Sequence, residues 1–346
     1  MRRMTYEQAL ALALHQEMER DPTVFVYGIG VPDHKRIFGT TNGILEAFGP
    51  ERCLDTPIAE DSMTGFGLGA AVKGLRPVHV HIRVDFLVLA LNQLVNMVSS
   101  FNYTAGGKVK VPLTIRAVAG RGWGQGCQHS KTLHSYFAHI PGLKVALPTT
   151  PSDAKGLLAA AIRDDDPVLL LEHRWLYWAD EEVKAEPYTI PFGQSRKLRE
   201  GKDITIIGTS WMNIEALKAA EILARRGVDV EVVDPRTIAP LDEEGLLASV
   251  LKTGHCIVAD NDWSFAGFSA EIAAMISERA FGRLKSPVTR IGFQHVPCPT
   301  VRVLENAFYP NAVTIIRAVE QKLGLSPTDL AGEDFYSHER RFKGPF

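Results

Sequence analysis

The carboxylate of Glu60 and the imidazole of His129 are the side chains whose surroundings best suit proton transfer. Glu60 follows Thr56-Pro57-Ile58-Ala59 and opens a segment of small residues, with Gly65, Gly67, Gly69 and Gly74 and with Ala70 and Ala71 between them. A carboxylate at such a point can accept backbone N–H groups as a helix cap. In an apolar, closed site it can instead share a proton with a ring nitrogen, which is general acid–base chemistry. The residue types leave both roles open. His129 ends a glycine-dense loop that reads Gly120-Arg121-Gly122-Trp123-Gly124-Gln125-Gly126-Cys127-Gln128-His129. Histidine titrates near neutrality, so His129 suits a proton donor or an anion-binding cation, and a structural imidazole fits the composition equally well. Cys127 is a candidate nucleophile, but no base is fixed beside it by spacing.

Other patterns carry less. Gly28-Ile29-Gly30 lacks the third glycine of a dinucleotide fingerprint. His79 and His81 share one face of a strand, but no third ligand stands at a fixed spacing, so a buried hydrogen-bonding role is expected rather than a metal site. Neither a phosphate-binding G-x-x-x-x-G-K-[ST] loop, an H-E-x-x-H nor a C-x-x-C occurs. Asn261-Asp262-Trp263-Ser264-Phe265 follows a strand-like run. Its aromatics are expected to line a subunit interface or a substrate channel, or simply to pack.

These residues need a framework to hold them. The chain has 346 residues, enough for two domains. It is 45% hydrophobic, and its 38 Lys and Arg nearly cancel its 40 Asp and Glu, which argues against disorder and against binding nucleic acid through bulk charge. The most apolar stretch, residues 86–98, is short and is broken by Asn92, Gln93 and Asn96, so no membrane span is expected. The four scattered cysteines fit a reducing compartment, and a cytoplasmic location is the expectation.

Apolar runs ending at glycine or proline predict strands at residues 24–27, 53–56, 78–84, 110–118, 144–147 and 168–172, with helices at 6–19, 41–48, 85–101 and 153–163 between them. Thr5 and Gln8 have capping-box spacing for the first helix, and residues 129–139 are expected to be at least partly helical. The charged stretch 180–201 reads as a boundary. Alternation resumes with strands at 204–207, 228–233 and 255–259 and helices at 214–226, 241–251 and 270–280. The fold class is α/β, two domains each built on a parallel sheet covered by helices. The polar tail from residue 328 offers Phe335, Tyr336, Phe342 and Phe346 as docking points.

Taken together, several segments resemble the beta subunit of the thiamine-diphosphate-dependent 2-oxo acid dehydrogenase E1 component, the type shared by pyruvate, branched-chain 2-oxo acid and acetoin dehydrogenases. They are Phe48-Gly49-Pro50 followed by Asp55-Thr56-Pro57-Ile58-Ala59-Glu60; Gln128-His129-Ser130; Phe137-Ala138-His139-Ile140-Pro141-Gly142-Leu143-Lys144; Asp153-Ala154-Lys155-Gly156-Leu157-Leu158; Asp234-Pro235-Arg236-Thr237-Ile238 with Pro240-Leu241-Asp242; and Pro297-Cys298-Pro299. The likeness spans residues 5–318.

The resemblance implies a pyrimidine-binding domain over residues 1–190, a transketolase C-terminal-like domain over 191–327 and a tail over 328–346. It also implies half of a thiamine diphosphate site, with Glu60 paired to the aminopyrimidine, Ile58, Arg83 and Phe86 around the cofactor, and His129 near the substrate or the incoming acceptor. Magnesium and the diphosphate would be held by an alpha subunit in an alpha2beta2 heterotetramer, so no metal ligand is expected in this chain. The substrate would be a small 2-oxo acid, and the acceptor the lipoyl arm of an E2 protein.

The departures from the family pattern bear on that acceptor. Gly28-Ile29-Gly30-Val31 stands where the family has Gly-Glu-Asp-Val, and Ser62-Met63 where it has Gly-Ile. Ile82-Arg83 replaces Gln-Phe, putting a guanidinium where an aromatic ring packs on the cofactor. Lys131-Thr132-Leu133-His134 replaces Gln-Ser-Leu-Glu. Two alternatives therefore stand beside the dehydrogenase: a split transketolase-like or acyloin-type carboligase that does not use lipoate, and a subunit that has lost cofactor binding.

Overall fold

The computed structural model describes residues 1–335 except positions 34, 36, 122 and 123. Trp123 and the tail aromatics Tyr336, Phe342 and Phe346 therefore lie outside the described residues. The chain divides into two units. The first comprises Met1–Ala119, Thr132–Phe192 and Thr237–Pro240, and the second Gly120–Lys131, Gly193–Arg236 and the chain from Leu241 onward.

The first unit begins with β1 (Arg2–Thr5) and α1 (Tyr6–Arg20), where Gln8 Oε1 accepts the Thr5 N–H at 3.1 Å. Then come β2 (Val24–Gly28), α2 (Ile44–Phe48), β3 (Cys53–Leu54), α3 (Glu60–Val72), β4 (Arg76–His81), α4 (Val84–Leu87), α5 (Phe101–Thr104) and β5 (Thr114–Ala119). They are followed by α6 (His134–Ala138), β6 (Lys144–Ala146), α7 (Pro151–Arg163), β7 (Val168–His173) and β8 (Asp180–Val183). A late strand, β12 (Thr237–Ala239), joins the same sheet. The seven strands run in the order β12-β6-β7-β5-β4-β2-β3, all parallel except the β12–β6 edge pair. Central strands β2, β4, β5 and β7 are nearly wholly buried, as expected of a parallel sheet covered on both faces. Across α1 and α7, the Arg163 guanidinium donates to buried Glu17 at 2.7 and 2.9 Å.

The single helix expected over 85–101 is broken. Between α4 and α5 lie a 3-10 turn, Val88–Ala90, and a π-helical segment, Gln93–Val98, and the axis bends by 62°. Ser99 and Ser100 each bond the carbonyl four residues back, at 3.1 and 2.8 Å, a contact that loosens and bends helices. Within the expected 129–139 helix only α6 is α-helical. No single helix among the described residues is long and apolar enough to cross a membrane.

The second unit holds β9 (Arg196–Arg199), β10 (Ile204–Gly208), α8 (Trp211–Ala224), β11 (Val230–Asp234), α9 (Glu243–Thr253), β13 (Cys256–Trp263), α10 (Phe268–Arg279), β14 (Thr289–Phe293), α11 (Arg302–Phe308) and α12 (Ala312–Leu323). Its sheet runs β14-β13-β10-β11-β9, parallel except at β9. The core gathers Ile204, Ile206, Val230, Val232 and Ile257 from the strands with Ala216, Ala220 and Leu223 of α8 and Ile315, Ile316 and Val319 of α12. Phe335, expected to dock, packs against this core, with the Lys218 ammonium 4.7 Å from its ring centroid.

Candidate functional site

Segments of the first unit, among them Ile29 after β2, meet around a shallow open cleft. The loop before α3 supplies Thr56, Pro57 and Ala59, the first turn of α3 supplies Glu60 and Met63, and the end of β4 with the turn into α4 supplies His79, His81, Arg83 and Phe86. The close approach of β2 to β4 at this end depends on Gly28. Its φ is +152°, and a Cβ there would stand 2.2 Å from the Val80 carbonyl oxygen.

Glu60 is the first residue of α3 and is half-buried. Its carboxylate makes no hydrogen bond to any described residue, and none of the helix's free N–H groups is capped by it. The small-residue pattern of α3 has a local cause at one position: a Cβ on Gly67 would fall 2.1 Å from the Tyr27 hydroxyl. That hydroxyl donates to the Met63 carbonyl at 3.0 Å and so ties β2 to the first turn of α3.

His79 and His81 point to the same face of β4, as the two-residue repeat of a strand requires. His81 Nε2 and His79 Nδ1 are 3.0 Å apart, and His79 stacks on Tyr27 with 4.3 Å between centroids. Burial holds both imidazoles neutral: His81 is pushed down to about 3, and His79 lies well below the ordinary range through burial and then its neighbour. Among the described residues no group of three or more His, Cys, Asp or Glu could hold a metal ion.

Arg83 caps α4 with extended backbone, its carbonyl accepting from Phe86 N at 3.1 Å and Leu87 N at 3.2 Å. The side chain is only 6% exposed, and Nη1 is buried without a hydrogen-bond partner. Arg174, at the end of β7, is equally buried; desolvation and then the charge of Arg83 bring its pKa down to about 10. Burial also lowers Arg83, against the opposing pull of Asp85. Neither Tyr27 nor Arg174 carried a local sequence signal.

Of the residues assigned to the cofactor from sequence, Glu60, Arg83 and Phe86 line this cleft. Ile58 is 80% exposed and is not one of its lining residues. His129 lies in the second unit, on a loop closed by Gly120 N–H to Lys131 O at 2.9 Å. The next residue is anchored, since Tyr309 OH donates to the Ser130 carbonyl at 2.8 Å and lies 3.3 Å from Cys298 Sγ. Arg121 sits over the Tyr309 ring at 4.9 Å and bonds Glu305 at 3.1 Å. Cys127 Sγ contacts Gln128 Oε1 at 3.3 Å. Trp263 packs edge-on to Phe293 at 5.7 Å in an aromatic cluster with Phe308 and Tyr309.

Comparison with known proteins places this architecture. Residues 2–178 match the transketolase pyrimidine binding domain, and residues 193–315 the transketolase C-terminal domain. The acetoin:2,6-dichlorophenolindophenol oxidoreductase subunit beta of Cupriavidus necator is 39% identical over 332 residues, covering 93% of this chain and 98% of that protein. The mitochondrial pyruvate dehydrogenase E1 component subunit beta of Pisum sativum is 41% identical over 324 residues, covering 92% and 90%. A solved structure described as a split gene transketolase, inactive beta4 tetramer, superposes with a TM-score of 0.74 at 22% identity, covering 94% of this chain and 99% of that one, and shares the fold. The chain belongs to the transketolase superfamily, as a beta-type subunit related to those of pyruvate dehydrogenase E1 and acetoin dehydrogenase.

Proposed function

We propose that this chain is one half of a two-chain thiamine-diphosphate enzyme that makes or breaks the carbon–carbon bond beside a carbonyl, of the split-transketolase or acyloin kind, without a lipoyl acceptor. The observation that carries the reading is the Glu60 carboxylate, which lines the cleft and is bonded to no described residue. Met63, Pro57 and Phe86 give the same cleft apolar walls. Such walls fit the faces of an aminopyrimidine, and the carboxylate fits its ring nitrogen, where it would hold or release a proton. The bound cofactor supplies an electron sink for cleavage next to a carbonyl. His79 and His81, kept neutral, add no charge to the cleft beside that proton transfer. His129 keeps the second proton-transfer role implied by its motif.

The diphosphate and its magnesium are assigned to an alpha-type partner, in keeping with the relatives' being beta subunits. One observation supports an acceptor other than lipoate: the segment after His129-Ser130 departs from the dehydrogenase pattern at Lys131-Thr132-Leu133-His134.

A second reading, a subunit that no longer binds the cofactor, is favoured by one observation: the buried guanidinium of Arg83 lines the cleft, close enough to the buried Arg174 for its charge to lower that group. The test is reconstitution with the alpha-type partner, thiamine diphosphate and magnesium. The proposal expects cofactor-dependent dye reduction or aldehyde transfer with no acylation of a lipoyl domain. Lipoyl acylation at a comparable rate would return the chain to the dehydrogenases, and absence of cofactor binding would establish the second reading.

A further inference from the structure

His79 and His81 line the cleft with Glu60, and a hydrogen bond of 3.0 Å joins His81 Nε2 to His79 Nδ1. Tyr27 stands in register with His79 on the neighbouring strand and stacks on it, with 4.3 Å between centroids. The Tyr27 hydroxyl is committed to the Met63 carbonyl, so it fixes the imidazole plane without occupying a ring nitrogen. No described residue bonds the two outer nitrogens, His81 Nδ1 and His79 Nε2, and neither is sealed from solvent. The charged groups on the same cleft are Glu60 and Arg83. Burial makes an imidazolium costly at either ring, so each ring carries one N–H. One of these two hydrogens lies in the bond between the rings. The pair therefore always presents one outer donor and one outer acceptor, and the tautomers decide which ring holds which. A proton entering at the outer acceptor, a hop between the rings and a proton leaving the outer donor exchange these roles and end with both rings neutral.

We propose that the His79–His81 pair is a proton relay of the cleft, carrying a proton between solvent and an oxygen of the reacting substrate by paired tautomer exchange. The assignment rests on the reading of the cleft as the reaction site, and it adds two residues to that chemistry. His81 ends β4, beside the turn that brings Arg83 and Phe86 to the cleft, and is the substrate-side ring. When a carbon–carbon bond beside a hydroxyl breaks, its electron pair goes to the cofactor's sink and the hydroxyl oxygen becomes a carbonyl. The hydroxyl proton passes to His81 Nδ1, the inter-ring hydrogen moves from His81 Nε2 to His79 Nδ1, and His79 Nε2 releases its hydrogen to water. Forming the new bond reverses each step. The acceptor's carbonyl oxygen takes a proton from His81 Nδ1, His79 Nδ1 returns its hydrogen to His81 Nε2, and His79 Nε2 regains one from solvent. A complete transfer leaves the tautomers as they began, and Glu60 is left to its own proton.

The test has two arms. In the full chain with isotopically labelled imidazole nitrogens, magnetic resonance at pH 7 reports the proton on each ring nitrogen, and the pair is recognised by its coupling across the N–H···N bond. The expected result is two neutral rings whose outer nitrogens are each partly protonated, the two fractions summing to one. An imidazolium at either ring, or outer nitrogens locked as one N–H and one bare, overturns the proposal whether or not any variant folds. In the complex with the alpha-type partner, thiamine diphosphate and magnesium, the exchange of labelled acetaldehyde into acetoin is followed in mixtures of light and heavy water. The wild-type rate should curve with the deuterium fraction, as when several protons move together. H79Q keeps a hydrogen bond to His81 but passes no proton by tautomer change. Its kcat should fall about tenfold or more with KM little changed, and its rate should follow a straight line. A straight line in the wild type, or an H79Q kcat equal to wild type, overturns the proposal and leaves the functional reading standing. Absence of exchange together with absence of cofactor binding removes the functional reading, and the spectra then decide the relay by themselves.

Discussion

His81 Nε2 and His79 Nδ1 are hydrogen-bonded across 3.0 Å inside the first unit, and the desolvation that buries them keeps both rings neutral. In the unfolded chain each imidazole titrates near its ordinary value of about 6.5. Below that pH the unfolded state binds protons that the folded state refuses, so folding stability falls as pH falls. The loss begins near the unfolded value and continues toward the folded value of about 3 for His81. Each imidazole protonated only in the unfolded chain contributes a slope of about 1.4 kcal/mol per pH unit. Urea unfolding at pH 7 and pH 5 should show this slope, and H79Q/H81Q should flatten it. An unchanged slope in the double variant would contradict the assignment.

Gly67 and Tyr27 make a steric pair. A methyl group at residue 67 would stand 2.1 Å from the Tyr27 hydroxyl, which also bonds the Met63 carbonyl. Overpacking of this kind costs about 1–3 kcal/mol. G67A should lower the unfolding midpoint accordingly, and adding Y27F should recover part of the loss by removing the clashing oxygen. A double variant no more stable than the sum of its singles would show that the two residues do not couple.

Tyr309 is the strut under the His129 loop. Its hydroxyl bonds the Ser130 carbonyl at 2.8 Å, and its ring lies beneath Arg121. Y309F should cost about 1 kcal/mol of local stability, a roughly fivefold rise in the open population of the loop. Hydrogen exchange over residues 124–131 measures this directly, and unaltered exchange there would contradict the role.

Much of this architecture was legible, because buried parallel strands are short apolar runs ending at glycine or at a helix start. Val24–Gly28 and Ile204–Gly208 are of this kind. The charged edge strands were not. Asp180–Val183 and Arg196–Arg199 read as linker because their acids and bases face solvent, and that same charge keeps an open edge from pairing with another chain. The π segment after Arg83 was hidden because a local change of helical hydrogen-bond register leaves no mark on apolar periodicity. Glu60 stood out through its motif and its place before the glycines. The pairing of its cleft with Arg174 was hidden, since only the folded sheet brings the end of β7 near Arg83.

The measurement closest to the central claim is calorimetric titration of thiamine diphosphate with magnesium into the chain assembled with its alpha-type partner, with turnover followed in the same preparation and in E60Q. The account predicts binding by the wild-type pair, and an E60Q pair that stays assembled while turnover falls by about 10²–10⁴-fold, the range of a lost general acid–base group. Turnover in E60Q equal to wild type would contradict it.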